Sequence, residues 1–517
     1  MNGAAGTEQQ APVILGAQRV SAEEVVRVAR HDAPVRVSAQ ARERLANSWE
    51  QVSAAAESAD PVYGVSTGFG ALSTTRIPHD RWAELQRSLV LSHAAGMGPP
   101  VEREVVRALM FLRARTLALG FSGVRPTVVD AIVAVLNSGY TPLVPEHGSL
   151  GASGDLAPLA HASLVLLGEG EVEAIDGSHH PASVALRAAG IEPLVLGPKE
   201  GLSLINGTDG MLGMLLLACE DFELLCATAD VVAAMSVEAL LGTDAAFAAD
   251  VNELRPHPGQ LASASNLRRV MADSAIVASH REHDTRVQDA YSVRCAPQVA
   301  GAARDVLAYA RSVVEVELRS AVDNPSVLPD GRIVSNGNFH GMPLAFAADF
   351  LAIACAGVGS IAERRVDRLL DVARSMGLPA FLADTPGVHS GLMIAQYTAA
   401  ALVAENRRLA SPASVDSIPT SGMQEDHVSM GWGATRKLRR AIDNLSRIVG
   451  VELTCASRAL ALRSPLRPSP ASAAVMRLVD PRPGPDRILA PELARADRLV
   501  RSGAVVGAVT AVIGSLD

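Results

Sequence analysis

Apolar residues recur at helical spacing along most of the chain. Six long runs rich in Ala and Leu carry the period of an α-helix: Val101 to Leu119, about Leu212 to Leu240, Ala302 to Ala321, Pro343 to Leu370, about Leu392 to Leu409, and about Gly433 to Leu460. A shorter run, Ala160 to Leu167, predicts another helix. Several of these runs are apolar over more than one face, which predicts a helix bundle whose outer faces are covered within an oligomer. Strand signals are minor: segments between the helices, such as Glu173 to Pro198 with its Asp176-Gly177-Ser178 turn, have room for short strands. The expected fold class is therefore mainly α. No internal repeat or low-complexity linker divides the chain. A boundary near Ile205 is expected, with residues 1–205 as a smaller N-terminal domain and residues 206–517 as a long-helix domain.

Composition narrows the class of function. With 517 residues, 48% hydrophobic and 20% charged, the chain is globular and has ample length for a large core. The net charge is -9, and basic residues such as Arg87 and Arg103 are interspersed with acids, which argues against nucleic acid and for a small soluble substrate. Cys219, Cys226, Cys295, Cys355 and Cys455 are odd in number and widely spaced, so neither a disulfide framework nor a zinc site is expected, and a reducing cytoplasm is implied. Met1 to Gly16 lacks a basic start and an apolar core, and reads as a loose tail, not a signal peptide. The longest apolar stretch, about Pro343 to Ile361, contains Asp349 and precedes Glu363-Arg364-Arg365, which suits a buried helix better than a membrane span.

Candidate chemistry concentrates in Gly148 to Leu159, GSLGASGDLAPL, just before the short apolar run. As ordinary loop chemistry, the glycines supply unusual φ/ψ and Asp155 caps the helix, leaving a helix N-terminus able to receive an anion. A serine-hydrolase elbow needs glycine two residues after the serine, where this chain has Asp155. The third reading is a backbone that modifies itself. In Ala152-Ser153-Gly154 the Gly154 amide nitrogen has no side chain beside it and can be pressed onto the Ala152 carbonyl carbon. Cyclisation, loss of water and loss of the Ser153 hydroxyl would leave a five-membered ring with an exocyclic methylene, a strong electrophile.

The phrase GSLGASGDLAPLAH resembles the cofactor-forming segment of the histidine and aromatic amino-acid ammonia-lyases, whose prosthetic group is 4-methylideneimidazol-5-one (MIO). The likeness continues in family order through Tyr63-Gly64-Val65-Ser66-Thr67-Gly68-Phe69-Gly70, Ser92-His93-Ala94-Ala95-Gly96 and Leu204-Ile205-Asn206-Gly207-Thr208. It extends through Gln288 to Cys295, Asp323-Asn324-Pro325, Gly337-Asn338-Phe339-His340 and Gln424 to Met430, and so covers most of the chain. The resemblance implies a long-helix bundle of the fumarase/aspartase-like type with a smaller N-terminal part carrying the MIO loop. It also implies MIO formed autocatalytically from Ala152, Ser153 and Gly154, with no external cofactor and no metal. It implies a homotetramer whose sites are shared between subunits, with Tyr63, Tyr291 and Phe339 meeting across subunit boundaries.

An electrophilic methylene assists β-elimination of ammonia by capturing the amine and making it a better leaving group. By resemblance, Tyr63 is the base that takes the β-proton, although free tyrosine has a pKa of about 10. Arg294 clamps the substrate carboxylate, while Tyr291, Asn206 and Gln288 hydrogen-bond the ring or the substrate and Phe339 packs beside the ring. The family's selectivity pair falls at Ser92-His93: members acting on histidine have Ser-His, those on phenylalanine tend to Phe-Leu and those on tyrosine to His-Leu. An imidazole substrate is thereby implied, with His93 and Glu425, beside Gln424, addressing its ring nitrogens. The expected reaction is conversion of L-histidine to trans-urocanate and ammonia. The alternatives are a lyase or 2,3-aminomutase acting on tyrosine or phenylalanine, and an inactive helical scaffold or sensor. Met423 stands where the family often has an amide, which leaves fine substrate placement open.

Overall fold

The computed structural model describes residues 11–16, 19–57, 64, 67–68, 70, 75–282, 284 and 286–517. Two compact units form, each from three segments: residues 1–217, 312–348 and 412–436 make the first, and residues 218–311, 349–411 and 437–517 the second. This differs from a single boundary near Ile205. Four of the five crossings between units fall inside the helices Asp209–Ala239, Ala296–Glu317, Met342–Leu370 and Gly431–Leu462, where no linker composition marks a seam.

The architecture is mainly α. The expected long helices are present as those four together with Arg103–Ala118 and Met393–Leu409, and the short apolar run lies in Leu156–Leu166. Helix ends follow ordinary capping chemistry: Ser21 and Glu24 form a reciprocal box at the start of Ala22–His31, and Pro126–Ser138 begins on proline and stops at Gly139 with φ of 83°. The strands are two to four residues long. Glu171–Glu173 and His179–Pro181 pair antiparallel around the Asp176-Gly177-Ser178 turn, where Gly177 has φ of 81°. After them comes a helix, Ala182–Ala189, within the same stretch. Val13–Leu15, expected to lie in a loose tail, pairs in parallel with Val35–Val37 and buries Val13 and Leu15.

In the first unit, Trp82–His93, Leu156–Leu166 and Glu200–Ile205 pack against one another, and Leu89, Leu159 and Leu204 of these helices are buried. Strand Met97–Pro100, which follows the first of these helices, pairs with Pro145–His147, which leads into the glycine-rich loop. Three helix ends and that loop are thereby held in one region.

Among the described residues, one helix, Met342–Leu370, is long and apolar enough to cross a bilayer. About half of its apolar window is buried, and its Asp349 is paired with Lys437. A buried ion pair in mid-helix suits a core helix. Burial pushes the thiols of Cys219, Cys226 and Cys455 up to about 12, so these cysteines act as apolar packing groups.

Candidate active site

Gly151 and Gly154 pair across Ala152 and Ser153, closing the four residues into one tight turn. Ser153 holds the third position of that turn with φ of 52°, a left-handed conformation that a turn of this kind usually gives to glycine. Strain of this sort costs about 1–3 kcal/mol and persists only where the surroundings impose it. Here they do. Gly154 pairs with Gly207, the Asp155 amide donates to the Gly207 carbonyl at 2.7 Å, and the Ser429 hydroxyl donates to the Gly151 carbonyl at 3.2 Å. A Cβ added at Gly154 would overlap the Gly207 carbonyl, and one at Gly151 would overlap the Ser429 hydroxyl.

Asp155 does not cap its own helix. Its Oδ2 accepts from the Met211 amide at 2.8 Å, in the first turn of Asp209–Ala239. The carboxyl is fully buried, and burial, with nearby Asp209 adding to it, pushes its pKa up to about 8. Asp155 is therefore largely protonated at neutral pH. Folding takes up a proton here, so the group's stabilising contribution is complete below about pH 4 and is lost as pH rises through about 8. Melting temperature is expected to fall between pH 5 and 8 and to level off above, and to fall more shallowly in Asp155→Asn, which keeps the Met211 bond without a charge. Equal slopes in the two proteins would refute this assignment.

Beside the turn, Ser92, His93, Ser153, Asn206 and Glu425 line one cavity of about 670 Å³, with Leu89, Leu156, Leu202 and Ile205 among its apolar walls. His93 ends its helix with Nδ1 2.9 Å from the Leu89 carbonyl. A carbonyl oxygen can only accept, so Nδ1 carries the hydrogen and Nε2 keeps its lone pair. Burial lowers the His93 pKa below the usual range, against the Leu89 bond and Glu425, so the ring is neutral at pH 7. Across the cavity, Glu425 Oε2 accepts the Thr420 hydroxyl at 2.8 Å. Its backbone pairs with Thr420 around a turn in which Ser421, Gly422 and Met423 all have positive φ.

Asn206 is held from behind. Its Nδ2 donates to Asp323 Oδ1 at 3.1 Å and to the Asn324 carbonyl at 2.9 Å, which uses both hydrogens. Only the amide oxygen is left to face a ligand. Asp323 is anchored in turn by Lys199 Nζ at 2.7 Å, and Lys199 also donates to the Ser122 carbonyl and to Ser203. Lys199 and Asp323 are almost wholly enclosed. Burial lowers the Lys199 pKa against the pull of Asp323; the lysine's charge, with Arg113, outweighs burial at Asp323 and holds that carboxyl below its usual range. Sequence reasoning gave Lys199 no role in the site. The available signal was its rarity: the chain has two lysines, Lys199 and Lys437.

Of the other expected residues, Ala152 and Gly154 flank Ser153 in the turn. Gln424 is exposed and Phe339 half-buried in the first unit, and neither lines the cavity. Gln288, Tyr291 and Arg294 belong to the second unit, where Tyr291 is 71% exposed and the Arg294 guanidinium stacks 4.8 Å from its ring centre. Tyr63 lies outside the described residues.

A sequence profile described as aromatic amino acid lyase matches residues 20–481. The chain belongs to the aromatic amino acid lyase family. A histidine ammonia-lyase of Streptomyces avermitilis is 60% identical to this lyase over 508 residues, covering 98% of this chain and 99% of that protein. Among solved structures, a tyrosine aminomutase from Streptomyces globisporus matches with a TM-score of 0.91 at 38% identity, covering 97% of this chain and 99% of that one. The histidine ammonia-lyase from Trypanosoma cruzi matches with a TM-score of 0.88 at 38% identity, covering 97% of this chain and 95% of that one.

Proposed function

We propose that this carbon–nitrogen lyase eliminates ammonia from L-histidine to give trans-urocanate, in the reducing cytoplasm and as a homotetramer. The observation that carries the reading is the joint presence of His93, Glu425, Asn206 and Ser153 around one cavity. The Ala152–Gly154 turn fits MIO. It is already tight and strained at Ser153, and both flanking glycines meet neighbours that leave no space for a side chain. Gly207 and Asn206 would hold the ring, which supplies an electrophile for the substrate amine.

This chain's own residues select and orient the substrate. Neutral His93 offers the Nε2 lone pair to an imidazole N–H, and Glu425 accepts from, or charge-pairs with, the same ring. A phenyl ring would leave both polar groups unpaired. The Asn206 oxygen, unable to act as a donor, accepts from the substrate amine. Tyr63 is assigned the β-proton and Arg294, steadied on the Tyr291 ring, the carboxylate. Gln288, Gln424, Ser92 and Phe339 complete the contacts. Purified protein incubated with L-histidine should develop urocanate absorbance in the near ultraviolet, with phenylalanine and tyrosine as weaker substrates. His93→Phe is expected to lower kcat/KM for histidine by about 5- to 150-fold, the roughly 1–3 kcal/mol of an unpaired buried polar group. A wild-type preference for phenylalanine would sink the assignment. The structural match to a tyrosine aminomutase favours one rival, retention of ammonia at the β-carbon, which chromatography of the products for β-amino acid would detect.

Exposed apolar residues support the oligomer. Tyr309, Phe350, Ile353, Ile394 and Tyr397 of the second unit are each more than 40% exposed, an unusual density for water-facing helices. If Tyr63 and Arg294 of one site come from different subunits, reassembling inactive Tyr63→Phe with inactive Arg294→Ala should restore partial turnover. Hybrid tetramers without activity would rule out sharing of that pair.

A further inference from the structure

We propose that the second unit contains a binding site for a small phosphate-class oxyanion, in an arginine-lined cavity between Gly431–Leu462, Ala490–Arg501 and the chain that leaves Pro470–Val479. Four guanidinium groups, from Arg458, Arg482, Arg487 and Arg495, stand in its wall with two carboxylates, Asp480 and Glu492. The compensation between them is incomplete. Arg482 is bonded to Asp480 at 2.9 Å. Arg487 grips Glu492 with Nε and Nη2, while Arg458 reaches the same carboxylate only at 3.4 Å, so two cations share one anion. Arg495 donates to the Leu478 carbonyl at 2.6 Å, which satisfies a hydrogen bond without balancing its charge. Asp486, the next acid in the chain, accepts from the Ser390 and Gly391 amides at 2.7 and 2.9 Å. Even with Asp486 counted, positive charge remains in excess.

Arg458 makes this a built site and not a solvated patch. It is 6% exposed and is held against the cavity with a poor partner, an arrangement that costs desolvation without full Coulombic return. Burial above all, with the charge of Arg487, lowers its pKa against the pull of Glu492 and Asp486. Arginine stays protonated regardless, so the deficit is met by an anion. Guanidinium forks from three chain segments suit an oxyanion that accepts in several directions better than a halide. The cavity of about 190 Å³, against about 30 Å³ per water, has room for a phosphate with a few waters.

The test is a thermal-shift titration of the full-length protein with sodium phosphate, sodium sulfate, glycerol phosphate or sodium chloride at constant ionic strength, with calorimetry to count sites. Phosphate should raise Tm saturably by about 2–4 °C, with one site per chain, and chloride should not. A stronger response to glycerol phosphate would identify the phosphoryl end of a metabolite as the ligand, and a stronger response to phosphate the free ion. Arg458→Gln should abolish the shift. Because Arg458 is buried, exposed Arg482→Gln serves as the second variant and should weaken binding by about tenfold or more. A rise matched by chloride, or one that survives unchanged in Arg482→Gln, overturns the proposal.

Discussion

Ser153→Ala is expected to lower turnover of histidine by about three orders of magnitude or more while the protein stays folded. The change removes one hydroxyl and leaves φ at 52° no harder to occupy, since alanine and serine meet the same Cβ clash there. The Gly151–Gly154 and Gly154–Gly207 pairings are backbone contacts that the substitution does not touch. Activity and stability should therefore separate. Intact-protein mass spectrometry gives the decisive reading: the native chain should weigh about 36 Da less than its sequence, the loss of two waters, and the variant should carry no such deficit. A native mass equal to the sequence mass would remove the electrophile from the mechanism. Gly154→Ala is the contrasting case, because its methyl would overlap the Gly207 carbonyl and folding itself should suffer.

Lys199→Met should cost about 3–5 kcal/mol of stability, the scale for stranding one member of an enclosed ion pair. The Asp323 carboxylate would be left without its cation in a site closed to water. Replacing both partners, Lys199→Met with Asp323→Leu, should recover part of that loss, since no unpaired charge remains, while Ser122, Ser203 and Asn206 still lose hydrogen-bond partners. Activity should not recover with it. The Asn206 amide would lose the acceptor at 3.1 Å that holds one of its two hydrogens, leaving only the Asn324 carbonyl to fix its orientation, and could then present a donor where the substrate ammonium needs an acceptor. A double variant with recovered Tm and a raised KM identifies Asp323 as a positioning residue; recovery of both would make the pair purely structural. Denaturant melts with parallel kinetics separate the outcomes.

The long helices were legible because their signal is local. Periodic Ala and Leu in Asp209–Ala239 or Met342–Leu370 survive any tertiary context. The two units were not legible, because they are defined by which segments pack together and the chain changes unit within uninterrupted helices. Ser153 drew attention through its place between two small residues, whereas His93 and Glu425 entered through the family resemblance of their phrases. Lys199 gave neither signal: it begins a six-residue helix from a left-handed backbone conformation, and its purpose depends on a partner 124 residues away. Asp155 was legible as a capping residue and misread only in which helix it serves, since Met211 comes close through folding and not through sequence.

The lysine economy of this chain has a practical side. Lys199 is enclosed, and Lys437 is drawn inward onto Asp349 with its side chain 14% exposed. Positive charge at the surface is therefore carried by arginine, which does not react with active esters or aldehydes under the conditions that modify amines. Reagents that normally decorate a protein through many lysines would find neither lysine side chain standing free in solvent. Coupling of dyes, tethers or solid supports through lysine would be sparse, and the cavity around Ser153, which no lysine lines, would stay chemically untouched.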